Sequence, residues 1–253
     1  AEQLTRGETY TLVGKLVDKS TGEVLVDADG KEISATKTFT AKKTTHEVKL
    51  TFKLDTSKLQ GKSIVAFEYL YDAAGKLITQ ETDLENTKQT VSVPGKLETL
   101  ALATESATHF VRADKNHTVS DKVSYKNLVA GETYTLEATL MDKSTGKAFV
   151  DADGKTVTAT KTFKTSSSTG SIDVEFSFNA TGMKDKTLVV FETLKQESSE
   201  LTCEANLENL EQTIYTPSVT TDAKDKTSGT KQAYADQKMT IVDVVTYKNL
   251  IVG

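Results

Sequence analysis

An all-β chain of Ig-like β-sandwich repeats is predicted by three observations. Short Thr/Val/Ile/Tyr/Phe runs alternate apolar and polar residues with a period of two, the pattern of half-buried strands. Turn sequences STG, DADGK and LQGK separate these runs. A long segment also recurs: Gly7–Thr40 (GETYTLVGKLVDKSTGEVLVDADGKEISATKTFT) realigns without gaps on Gly131–Lys164 (GETYTLEATLMDKSTGKAFVDADGKTVTATKTFK), with 23 of 34 residues identical. The register continues through AFE and VFE (Ala66–Glu68, Val190–Glu192) to ENTKQTV and ENLEQTI, which carry Gln89 and Gln212. The period is about 123 residues, too long for a helical solenoid and suited to a β-domain with seven or more short strands.

The elements follow in order. Pro94 and Pro217 each stand directly after a Gln-bearing strand and mark junctions. Residues 1–94 form a first repeat that begins where the YKNL segment of the unit ends, so it lacks the first strands. Residues 95–217 form a complete repeat. Residues 218–253 supply the first strands of a further repeat, because Ile241–Gly253 (IVDVVTYKNLIVG) matches Val119–Gly131 (VSDKVSYKNLVAG). The chain thus reads as cut out of phase with its repeat, a headless domain in front and a spare head behind.

Composition narrows the function. The single cysteine, Cys203, excludes a disulfide within one molecule. No stretch approaches the roughly 20 apolar residues of a membrane span, and no signal-peptide pattern opens the chain. The formal charge of −5 is spread without a basic stripe, which argues against nucleic acid as a partner. His46, His109 and His117 form no HxxxH or HExxH pair, and the DADG segments lack the other ligands of a calcium loop, so they read as Asp-Gly turns. No metal and no cofactor are expected.

Strand parity locates polar residues in phase with apolar ones. Asp121 shares a face with Val119, Val123 and Tyr125, as Asp243 does with Ile241, Val245 and Tyr247. Glu192 lies in phase with Leu188, Val190 and Leu194, and Glu68 with Ile64, Ala66 and Leu70. Gln212 is in phase with Leu210 and Ile214, and Gln89 with Val91 and Val93. Thr221 aligns with Val219 and Ala223, and its counterpart in the complete repeat is Thr99. Each unit therefore aims a Thr, an Asp, a Glu and a Gln at its interior. Two buried carboxyls without a cation require at least one retained proton. A hydrogen-bonded cluster that fixes register is one reading. The other is acyl transfer, with a hydroxyl nucleophile, a carboxamide electrophile and acids that polarise it.

The motifs T-x-A (Thr99–Ala101, Thr221–Ala223), D-x-V-x-Y-x-N-L, G-E-T-Y-T-L, D-K-S-T-G, V-V-F-E and E-N-x-x-Q-T closely resemble the Thr-Gln ester-bond domains of Gram-positive surface adhesin stalks. The resemblance covers essentially the whole chain. It implies an Ig-like fold in which the Thr hydroxyl attacks the Gln amide, expels ammonia and ties first strand to last. On matching positions it implies a Thr99–Gln212 crosslink with Asp121 and Glu192 as the acid pair. The family commonly places a His base eight residues before the Gln; here those positions are Glu81 and Glu204. It further implies an extracellular, wall-anchored stalk whose crosslinking is a single-turnover event rather than enzymatic turnover, with host contacts made by other domains. Gln89 and Glu68 lack a Thr and an Asp, whereas Thr221 and Asp243 lack a Gln, so each half is expected to complete the other, head to tail, between molecules. The rival reading is a β-sandwich module that binds a host protein or glycan and keeps the polar cluster for structure alone.

Overall fold

The computed structural model describes residues 4–44, 47–233, 235 and 238–251; His46 lies outside them. Among the described residues the chain is all-β, without an α-helix. The strands are β1 (Thr9–Asp18), β2 (Ser34–Thr40), β3 (Ser63–Tyr71), β4 (Leu77–Glu81), β5 (Thr90–Ser92), β6 (Glu98–Ala103), β7 (Asn116–Tyr125) and β8 (Thr133–Asp142). They continue as β9 (Lys147–Ala148), β10 (Thr158–Lys164), β11 (Gly170–Asn179), β12 (Thr187–Gln196), β13 (Ser199–Glu204), β14 (Thr213–Tyr215), β15 (Ser218–Asp225) and β16 (Ile241–Lys248). Two compact units result. One joins the chain up to Lys96 with Tyr125–Glu132 and Thr165–Gly170; the other joins Leu97–Ser124, Thr133–Lys164 and the chain from Ser171 onward.

The second unit contains a sandwich. One sheet runs β10-β8-β12-β13, with β9 on β8 and β14 on β12; the other runs β11-β7-β6. Alternation along the strands buries Val119 and Val123 of β7 and Val174, Phe176 and Phe178 of β11. From the larger sheet Leu136, Leu140, Leu188, Val190 and Leu194 are buried as well. Phe149 and Phe178 meet edge to face, with ring centroids 5.8 Å apart. Each such side chain stabilises the fold by about 1.5–3 kcal/mol through burial. The DADG segment is a turn: the Asp151 carboxylate accepts the Asp153 and Lys155 amides at 3.0 and 2.9 Å, and Gly154 takes φ of 76°.

The first unit carries the sheet β2-β1-β3-β4 with β5 on β3. Register repeats that of the larger sandwich sheet: Glu68 faces Glu81 as Glu192 faces Glu204. The residues that match β11 are 47–55, and there the pattern diverges. They form no strand and join no sheet among the described residues. Val48, Leu50, Phe52 and Leu54 are half-buried while Glu47, Lys49, Thr51 and Lys53 are exposed, so the strand-like alternation survives. In the complete repeat β11 pairs with β7. The YKNL segment also packs in this unit. Asn127, at φ of 61°, donates through Nδ2 to the Lys62 and Val93 carbonyls at 2.7 and 2.9 Å, and Ser63 donates to its Oδ1 at 3.0 Å.

β15 and β16 make a two-stranded sheet of their own in the second unit. Their register, Ala223 opposite Asp243 and Thr221 opposite Val245, reproduces Ala101 opposite Asp121 and Thr99 opposite Val123 in β6 and β7. Burial does not follow. Val119 and Val123 are 0% and 1% exposed, whereas their matches Ile241 and Val245 are 60% and 55% exposed. Asn249 anchors the hairpin as Asn127 does its own segment: Nδ2 donates to the Lys186 carbonyl at 2.5 Å and Oδ1 accepts from the Thr187 hydroxyl at 2.9 Å.

Candidate functional site

Four side chains from four elements of the second unit share its interior. Thr99 is on β6, Asp121 on β7, Glu192 on β12, and Gln212 ends the 3-10 turn Leu210–Gln212, which packs against β6. Asp121, Glu192 and Gln212 are almost completely buried, and the Thr99 hydroxyl oxygen is shielded from solvent. Gln212 Nε2 donates to Asp121 Oδ1 at 3.0 Å. Thr99 Oγ1, Gln212 Oε1, Asp121 Oδ2 and both Glu192 carboxyl oxygens are buried without a hydrogen-bond donor or acceptor of ordinary kind. No other residue among those described contributes such an atom.

One proton resolves part of this. Two adjacent carboxylates in an apolar interior repel each other and lose their hydration. Burial, reinforced by the neighbouring Asp121 and by Glu204, pushes the Glu192 carboxyl up to about 11. Burial also raises Asp121, but hydrogen bonds from Glu192 and Gln212 oppose the rise. Glu192 is therefore the carboxyl of the pair that keeps a proton. A carboxyl raised in the folded state stabilises the fold below its ordinary pKa near 4.5, and that contribution is lost progressively as pH rises toward the folded value. In a Thr99→Val chain the melting midpoint of this domain is expected to fall between pH 5 and pH 9. Adding Glu192→Gln should flatten the fall; calorimetry across that range checks it.

The expected phase of Gln212 needs one correction. Leu210 was to share the inward face, yet it is 65% exposed. A 3-10 turn repeats every three residues, so positions two apart point to different sides. The turn is held by a residue that parity missed: the Asn209 side chain accepts the Glu211 amide at 3.1 Å, and the Thr213 hydroxyl donates to the Asn209 carbonyl at 2.7 Å. Its signal was the Asn three residues before each Gln, since Asn86 accepts the Lys88 amide at 3.1 Å in the same way. Glu204 is half-buried on β13, opposite Glu192. Among the described residues no cluster of three His, Cys, Asp or Glu could hold a metal ion.

The sequence profile of the "T-Q ester bond containing domain" family matches residues 1–93, 95–216 and 217–253. The chain belongs to this family. No curated protein matches it. Among solved structures the T-Q ester-bond chain is similar to a Mobiluncus mulieris bacterial adhesin described as containing intramolecular disulfide, isopeptide and ester bond cross-links, in two crystal forms. Identity is 12% and 14%, with TM-scores of 0.42 and 0.41, over 62% of this chain and 74% of that one.

The other T-Q positions are separated into two half-sites. In the first unit Gln89 Nε2 donates to Glu68 and Asn86 Nδ2 donates to Gln89 Oε1 at 3.1 Å. Glu68 is only half-buried, and burial raises its pKa more than the Gln89 hydrogen bond lowers it. Glu81 is exposed and uses Oε1 to accept the Asp83 amide at 3.2 Å. Val91, expected inward, is 65% exposed, whereas its match Ile214 is 0% exposed. Thr221 and Asp243 stand exposed on the β15-β16 hairpin, on the same side as Val219, Ile241, Val245 and Tyr247.

Proposed function

We propose that the complete repeat closes a Thr99–Gln212 ester, and that the chain is a stalk module of an extracellular, wall-anchored adhesin. Thr99 Oγ1 attacks Cδ of Gln212, negative charge gathers on Oε1, and ammonia leaves as the C–O bond replaces the C–N bond. The observation that carries this reading is the confinement of every unpartnered buried side-chain oxygen among the described residues to Thr99, Asp121, Glu192 and Gln212. A cluster retained for register alone pairs its polar atoms. This one leaves nucleophile and carbonyl unsatisfied beside two acids. The ester joins the first strand of the domain to the residues that lead into its last. Tension along the stalk then runs through covalent bonds instead of peeling strands. Tandem mass spectrometry of a protease digest tests this. A branched peptide joining Thr99 to Gln212 is expected, and separate unmodified peptides for both residues oppose it.

The half-sites extend the proposal. The hairpin of one molecule supplies Thr221, Asp243 and an exposed apolar side. The first repeat of a second copy supplies Glu68, Gln89, the uncovered Val91 and the unpaired extended segment 47–55. Adding β16 to that segment as a strand is β-augmentation, head to tail, and the contact repeats without closing on itself. The same transfer from Thr221 to Gln89 then links the chains covalently.

A further inference from the structure

We propose that Asp121 moves the proton of ester formation in both directions, taking it from Thr99 Oγ1 and delivering it to Gln212 Nε2. This inference rests on the ester reading of the same site. Acyl transfer from an amide needs two proton movements: one off the attacking hydroxyl and one onto the departing nitrogen, because the amide anion is too poor a leaving group. The group that serves the nitrogen must touch it, and Asp121 Oδ1 already accepts a hydrogen bond from Nε2 at 3.0 Å. The Glu192 carboxyl and the Leu100 amide also act on this carboxylate, but its other oxygen, Oδ2, makes no close hydrogen bond, and neither does Thr99 Oγ1. The two residues sit on paired strands. Ala101 is opposite Asp121 and Thr99 opposite Val123, which makes Thr99 and Asp121 diagonal neighbours on the inward face.

The remaining titratable groups are poorly placed, Asp173 of β11 being exposed. Glu192 holds a proton and contacts Asp121, so it serves as a donor. Glu204 lies opposite Glu192 on β13 and is half-exposed. His109 is tied through Nδ1 to the Thr213 carbonyl at 2.9 Å, and His117 lies 3.0 Å from Asp114 and 3.5 Å from Glu105.

The step balances. Oγ1 forms its bond to Cδ as its proton passes to Asp121 Oδ2, and charge collects on Oε1. The carboxyl then gives that proton to Nε2, the C–N bond breaks, ammonia departs and the carbonyl re-forms. Asp121 ends as it began, ionised, and Glu192 keeps its proton throughout. No oxidant or cofactor is consumed.

Intact mass and refolding kinetics test this on the whole chain with Thr221→Ala, which keeps it monomeric. The parent should be lighter than its sequence mass by about 17 Da, the ammonia lost in one acyl transfer. Glu204→Gln and His109→Gln should reach the same mass. Asp121→Asn should stay at the unlinked mass near neutral pH while melting cooperatively. Its slow residual linkage should rise about tenfold per pH unit from pH 7 to 9, as hydroxide replaces the missing base. A loss of linkage in folded Glu204→Gln or His109→Gln, or linkage of Asp121→Asn at the parent's rate, overturns the inference. An unlinked parent instead removes the ester reading beneath it.

Discussion

Two variants that are each unable to polymerise are expected to form a covalent dimer when mixed, and nothing larger. Gln89→Ala keeps the hairpin nucleophile Thr221 and loses its own acceptor; Thr221→Ala keeps Gln89 and loses the nucleophile. The parent chain has both, so denaturing electrophoresis after boiling should show a ladder. Each single variant should run as one monomer band. Their mixture should give one new band at twice the mass. The structure supports this through matched incompleteness: the hairpin exposes Ile241 and Val245 where the complete repeat buries Val119 and Val123, and the first repeat exposes Val91 where the complete repeat buries Ile214. Closure within one chain leads elsewhere. It yields a monomer lighter by two ammonia losses, about 34 Da, with no ladder.

The second large effect is on stability. Thr99→Val keeps the side-chain volume and removes the nucleophile, so the complete repeat folds without its crosslink. A bond between residues 99 and 212 closes a loop of about 110 residues, and removing such a constraint from the unfolded chain costs about 5 kcal/mol. For a domain of this size that corresponds to a fall in melting midpoint of about 15–25 °C. Differential scanning calorimetry of the Thr221→Ala chain with and without Thr99→Val measures it. A difference of only one or two degrees leaves no room for a covalent link between the terminal strands.

Much of the site was legible in the sequence wherever strands are regular. Two-residue periodicity placed Asp121 and Glu192 inward, and both are buried. It faltered where the backbone changes period: Leu210 faces solvent because Gln212 sits on a capped 3-10 turn, and only the spacing of Asn209 from Gln212 hinted at that. Repeat counting set out an expected order of repeats, but not which of their segments would pair. Residues 47–55 carry nearly the same apolar alternation as β11 and still form no strand, because backbone pairing depends on a partner and not on pattern. The proton arrangement was out of reach of the sequence, since it depends on which carboxyl Gln212 touches.

The most direct measurement is the intact mass of the Thr221→Ala chain purified at neutral pH. The expected value is about 17 Da below that of the sequence, for one ammonia lost, restored to the full value by Thr99→Val. A folded chain at its full sequence mass contradicts it.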